Sequence, residues 1–180
     1  VQIITNGSEE RRRFMDALFS QVDHEYLLQL MLYNRILLQR NSLLKQMGEL
    51  GQRSSDLLDV LDSQLVGPAT YVHAKRTGYL GELLQQVRLR YCNIAGENYN
   101  LQLRYESSLH QNKFADMLQQ NRQRDLQAQR TQLGIHRDDI VISLNEQPFR
   151  QIASQGQRKS LLFAFKLAEF YTLKETKGFA

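Results

Sequence analysis

Along this chain apolar positions recur mostly at intervals of three and four, the spacing of helices that bury one face. Phe14, Leu18 and Val22 make the first such stripe. Ser8 stands before it as a capping residue, and Glu9 and Glu10 give its first turn the charge that the helix dipole favours. Asp23 suits the cap of a second helix from about His24 to Met47, where Leu27, Leu30, Met31, Asn34, Leu37, Leu38 and Leu44 form a core-facing stripe. About 24 residues make a rod of roughly 36 Å; Gly48 and Gly51 end it. A third pattern starts near Ser55 with Leu58, Leu61 and Leu65 and meets Gly67-Pro68, which should kink or break it. It resumes through Val72, Tyr79, Leu83, Val87, Tyr91 and Ile94 to Gly96. Two long helical segments joined by a short turn fold back most simply as an antiparallel pair.

The period then changes. Tyr99, Leu101, Leu103 and Tyr105 alternate with polar residues, which predicts a strand over 99–106. Helical spacing returns from about Gln111 through Phe114, Leu118 and Leu126. Ile140, Ile142 and Leu144 alternate again, with a turn at Asn145-Glu-Gln-Pro148 and a return over Phe149 to Ile152, giving a hairpin over 139–152. Val1 to Ile4 reads as the end of a strand that turns at Thr5-Asn6-Gly7. The last helix, over 155–175, carries Leu161, Phe165, Ala168 and Leu173, widened by Leu162, Leu167 and Phe170 into a broad buried face. The expected fold class is mainly α with a small β portion.

Composition narrows the setting. The chain has 180 residues, 42% of them hydrophobic, enough for a sizeable core in one or two domains. Cys92 is the single cysteine, so no disulfide or cysteine-based zinc site forms within one chain. No apolar run reaches membrane-spanning length and no secretory signal opens the sequence; a reduced, cytoplasmic setting without membrane association is expected. Two prolines against 21 glutamines point to long helices with uncharged polar faces. The net charge of +4 is modest but unevenly placed: residues 71–137 hold ten Lys/Arg and five Asp/Glu.

Candidate chemistry sits in four places. Ala153-Ser154-Gln155-Gly156 opens the last helix with Ser154 as a capping residue, while Arg158 and Lys159 put two cations into the first turn. The dipole disfavours them there unless an anion is shared with the first-turn amides; otherwise both side chains extend into water. Arg11, Arg12 and Arg13 form a positive run, as do Arg122, Arg124 and Arg130 beside many glutamines. Each reads either as a solvated helix face or as a surface for DNA phosphate or a facing subunit. His136, Arg137, Asp138 and Asp139 could form a metal or acid/base site, or a turn at a strand start with an Arg–carboxylate pair. His24 and His73 read as ordinary helix residues, so no metal site is expected.

Ser154-Gln155-Gly156-Gln157 before a helix is similar to the signature motif of ABC-type ATPases. Ser8-Glu-Glu-Arg-Arg-Arg-Phe-Met-Asp16 and Thr131-Gln-Leu-Gly-Ile-His-Arg-Asp-Asp139 narrow the resemblance to the RecF family, and the three stretches follow in the family's order. Asn6 replaces a usual glycine, and Ser8 and Ile135 replace usual prolines. The resemblance implies that residues 1–7 end a first ATPase lobe, residues 8–130 form a helical arm, and residues 131–180 return into the ATPase head. It also implies that Ser154 and Gly156 contact the γ-phosphate of ATP seated on a second protomer. Gln155 and Gln157 would shape that loop, with Arg158 and Lys159 adding positive potential. ATP with Mg²⁺ would drive a homodimer that clamps DNA at single-strand gaps bordered by duplex, with RecR and RecO as partners in recombinational repair and the SOS response. The roughly 120-residue arm lacks the Cys-x-x-Cys hook and the much longer coiled coil of related proteins.

No phosphate-binding Gly-x-x-x-x-Gly-Lys-Ser/Thr loop is present, and no acidic strand follows the last helix before Phe179-Ala180. The expectation is therefore a fragment of a weak ATPase, with no catalytic residues of its own and no nucleotide held by it alone. The alternative is a helical protein-interaction module without nucleotide binding, in which the Ser154 loop is only a cap.

Overall fold

A computed structural model of the protein describes residues 2–51, 56–96 and 100–177. Its elements are α1 (Gln2–Thr5), α2 (Ser8–Val22), α3 (His24–Leu50), α4 (Asp56–Ala95), β1 (Leu101–Glu106), α5 (Phe114–Ala128), β2 (Asp139–Leu144), β3 (Gln147–Pro148), α6 (Phe149–Ile152) and α7 (Gln155–Lys177), with 3-10 turns at Ser108–His110 and Ile135–Arg137. The fold is mainly α with one small antiparallel sheet of order β1-β2-β3. Two compact units share these elements: residues 1–24, 76–106 and 139–180 form one, residues 25–75 and 107–138 the other.

The first unit holds the sheet. Leu101 pairs with Leu144 and Glu106 with Asp139, so Leu101, Ile140 and Leu144 turn inward. Alternation along the two strands places one apolar face against α2 and α6. Asn145 and Glu146, both with positive φ (49° and 65°), form the two-residue turn, as a type I′ hairpin requires. Met15, Leu18 and Phe19 of α2, Leu80, Leu83, Leu84, Val87 and Tyr91 of α4, and Leu161, Ala164, Phe165 and Ala168 of α7 complete the core. Phe14 meets Phe165 edge to face at 5.6 Å, and Tyr91 meets Phe149 at 6.3 Å. Full burial of each large side chain contributes about 1.5–3 kcal/mol.

In the second unit α3 and α4 run antiparallel: Arg40 bonds Asp62, and Leu44 and Met47 share a cluster with Leu58 and with Leu126 of α5. Gly51, at φ 67°, ends α3 in the left-handed conformation that glycine tolerates.

Several expectations are corrected. Residues 2–5 are a helical turn, not a strand. Ile3 and Ile4 are both buried where this turn packs on α2 and α7. Ser8 is the first helical residue of α2, and Gly7 takes the cap position without a side-chain bond. Gly67-Pro68 neither breaks nor ends α4. Leu65, Ala69 and Val72 are fully buried around it, and their packing outweighs the roughly 3 kcal/mol that an internal proline costs. Phe149–Ile152 is a helical turn, and Gln147–Pro148 is the return strand.

The buried face of α3 is Tyr26, Leu30, Tyr33, Ile36, Arg40, Leu44 and Met47, whereas Met31 and Leu38 are 60% and 71% exposed. Likewise Phe170 and Leu167 of α7 are exposed, because 161, 164, 165 and 168 use the opposite side of the helix. Leucines on several faces of one helix leave its facing undecided by count alone. Ser55 and Tyr99 lie outside the described residues.

Candidate nucleotide-capping loop

The chain reaches Ser154 through a short helical turn. Phe149 is buried against Tyr91, and the amide of Ala153, itself buried, donates to the Phe149 carbonyl at 3.0 Å. This anchors the chain immediately before the loop, so that Ser154, Gln155 and Gly156 stand exposed at the start of α7. Ser154 Oγ accepts from the Gln157 amide at 3.2 Å, and Gln157 Oε1 accepts from the Ser154 amide at 2.8 Å. That is a reciprocal capping box, with neutral glutamine in the place where glutamate serves equally well. The Arg158 amide donates to the Ser154 carbonyl at 3.0 Å.

Three properties make this helix start receptive to an anion. No acidic residue lies in the first turn of α7, while α2, α3, α4 and α5 each carry at least one. The amides of Gln155 and Gly156 precede any intrahelical acceptor. Among the described residues a Cβ on Gly156 would meet only Ser154 Oγ, at 3.8 Å, so none of their packing requires glycine there. Of the two expected cations, Lys159 is exposed, but Arg158 folds back to donate to the Arg150 carbonyl at 3.0 Å.

The other expected contacts divide. Arg11 is a structural residue: Nε and Nη2 grip Asp139 at 2.6 and 2.9 Å, and Nη1 donates to the Asn6 carbonyl at 3.0 Å. Asp139 of the 136–139 turn thus takes its arginine from 128 positions away, where an Arg–carboxylate pair local to the turn was expected. Arg12 is half-buried, and Arg13, exposed, pairs with Glu9 and Glu10. Arg122 bonds Asp59 and, at 3.0 Å, Asp62. Burial works to lower its pKa, but these hydrogen bonds and charges outweigh it and raise the value. Arg124 and Arg130 are exposed and pair with no carboxylate among the described residues.

Sequence reading missed a buried polar cluster in the second unit. Arg40, fully buried, donates to Asp62 at 2.5 Å and to Asp125 and Thr131 Oγ1 at 2.8 Å. Asn41 Oδ1 accepts from the amide and hydroxyl of Thr131, and Asp125 Oδ1 from the Gln132 amide. Burial, the largest influence, raises the Asp125 carboxyl above its ordinary value, against the pull of Gln132 and Arg40. His136 is held at both nitrogens, by Tyr33 Oη at 2.7 Å and the Thr131 carbonyl at 3.2 Å. The carbonyl can only accept, so Nε2 carries a proton. That bonding makes His136 a lock on the turn. An arginine among leucines gives no sign of burial until its carboxylates are placed; Thr131, already singled out in the third motif, was the one available signal.

No protein-family model matches the chain. Curated relatives do. The chain is 37% identical over 176 residues to the DNA replication and repair protein RecF of Flavobacterium johnsoniae, covering 98% of the chain and 49% of that protein. It is 36% identical over 176 residues to RecF of Cytophaga hutchinsonii, covering 98% and 47%. The chain belongs to the RecF family. It spans about half the length of the curated relatives it matches. A solved structure of the recombination mediator protein RecF-ATPrS in the RecFOR pathway superposes with a TM-score of 0.89 at 31% identity, covering 98% of this chain and 50% of that one. The RecF likeness thus takes in both units, including the loop and the Arg40 cluster. Among the described residues no helix is long and apolar enough to cross a membrane.

Proposed function

We propose that the Ser154–Lys159 loop caps the γ-phosphate of ATP bound to a second subunit, as part of a RecF-type protein acting in DNA replication and repair. The observation that carries this is the exposed capping box with an unobstructed Gly156 beside it. Ser154 spends an oxygen lone pair on the Gln157 amide and keeps its hydroxyl hydrogen for an outside acceptor. The Gln155 and Gly156 amides add two donors, and Lys159 adds charge; Arg158 acts as a strap on Arg150. ATP with Mg²⁺ would supply the anion that joins two heads, and its hydrolysis would separate them. On this reading residues 8–130 form the arm and residues 131–180 return into the head. Arg124 and Arg130, with Arg12 and Arg13, are the candidates for DNA phosphate at gaps bordered by duplex. RecR and RecO are the proposed partners, in the cytoplasm.

The test is Ser154→Arg in the intact protein. It should abolish ATP-driven dimerisation, measured by light scattering with and without nucleotide, and leave the melting temperature within a few degrees. A dimer that forms as before refutes the role. A second reading, a helical protein-interaction module, has in its favour the exposed Met31 and Leu38 of α3. It predicts partner binding that is indifferent to Ser154→Arg and lost on Leu38→Glu.

A further inference from the structure

His73 lies on α4, and His110 closes the 3-10 turn Ser108–His110, 37 positions further along the chain. Their rings meet edge to face with centroids 5.0 Å apart, and His73 Nε2 stands 3.2 Å from His110 Nδ1 at the surface. Two imidazole nitrogens this close can share one proton or one cation. We propose that the pair is a two-histidine site for a divalent transition-metal ion of the zinc, nickel and copper class, a site separate from the loop at Ser154.

Neutral imidazole is a ligand of intermediate softness that suits these ions and not magnesium or calcium. With metal–nitrogen bonds of about 2.0–2.1 Å and a near-tetrahedral angle, two ring nitrogens on one ion stand about 3.3 Å apart. The observed spacing therefore matches the nitrogen–nitrogen distance that an ion needs, and each ring has only to turn its nitrogen lone pair off the line between the two toward the ion. His73 is also held in place: its neighbour Val72 is fully buried, which fixes the helix backbone beneath it. Lys75 does not stand over the pair, since it directs its ammonium over the Tyr71 ring, 5.4 Å from the centroid, and positions two apart on a helix do not face each other. Among the described residues no group of three or more His, Cys, Asp or Glu is placed to hold a metal, so water would fill the remaining positions. An ion here would clip residues 56–75 of α4 to the segment that follows β1, both within the second unit.

Calorimetric titration of the protein with ZnCl₂ in a non-chelating buffer tests this. One ion should bind per chain, and His73→Ala and His110→Ala should each weaken binding by about tenfold or more, with the double variant no weaker than either. Zinc should raise the melting temperature of the wild type and of neither variant. Melting without metal shows whether a variant is folded, and His73→Gln with His110→Asn replace the alanines if it is not. The proposal is overturned if the double variant binds zinc as tightly as the wild type, or if the wild type gives no histidine-dependent heat.

Discussion

The Arg40 cluster and the Ser154 loop are both made of polar side chains gathered around one helix end or turn, and they are opposites in every other respect. Arg40 is wholly inside, and three partners take its Nε and Nη1. Ser154 and Gly156 stand outside, with open space at Gly156. A buried charge is tolerated only when its partners are already in place, so such a cluster serves the fold it sits in. On the proposed function, an exposed loop with spare donors serves an anion brought by a second subunit. Changes in the cluster should therefore cost stability, and changes in the loop should cost association.

The largest effect should come from Arg40→Met. It strips the pairing charge from Asp125 and leaves a buried carboxylate with only the Gln132 amide, at a cost of about 3–5 kcal/mol in chemical denaturation. A loss below about 1 kcal/mol would place the cluster with surface ion pairs and erase the contrast.

Gly134→Ala comes next. Gly134 has φ 131° and ψ 176°, a region almost reserved for glycine. An added Cβ would lie 2.5 Å from Tyr33 Oη and 3.0 Å from Phe114 Cζ, so Tyr33 would have to leave His136. Strain and the lost bond together cost about 2–3 kcal/mol. Tyr33→Phe removes the clashing oxygen, so the double variant should lose less than the two singles added together. Strict additivity would mean that the lock does not pass through the hydroxyl.

How much of this was legible depends on reach along the chain. The β1 and β2 alternation is local, and so is the capping box, whose partners lie three positions apart; both follow from spacing. The three motif stretches were legible as words. Illegible were the pairings of distant residues: Arg11 with Asp139, Tyr33 with His136, Arg40 with Asp125, His73 with His110. Each joins residues that carry no local sign of one another. Leucine counting failed on α3 and α7 for a related reason, since several faces of one helix were apolar and only packing partners choose among them.

The cluster also carries a pH signature. A carboxyl whose pKa rises on folding, as burial raises Asp125, stabilises the fold in its protonated form. That contribution is complete below the unfolded pKa of about 3.9 and is lost as pH rises through the folded value. Wild-type stability measured against Asp125→Asn should therefore decline on going up from about pH 4 and then level off. A difference that grows with pH would mean that Arg40's attraction outweighs burial.

The smallest effect has the opposite sign and sharpens the comparison most. Gly156 lies in the first turn of α7 with nothing but Ser154 Oγ near its missing Cβ, at ordinary contact distance. Alanine there removes backbone freedom from the unfolded chain and should stabilise the protein by about 0.4–1 kcal/mol. If the loop closes over a phosphate on another subunit, the same methyl stands where that group must approach. Gly156→Ala should then melt higher and dimerise less with ATP. Higher melting with undiminished dimerisation would leave the glycine without a role at the interface and remove the loop from the proposed contact. Lower melting would mean that the space beside Gly156 is not open, and the contrast between cluster and loop would fail at its exposed end.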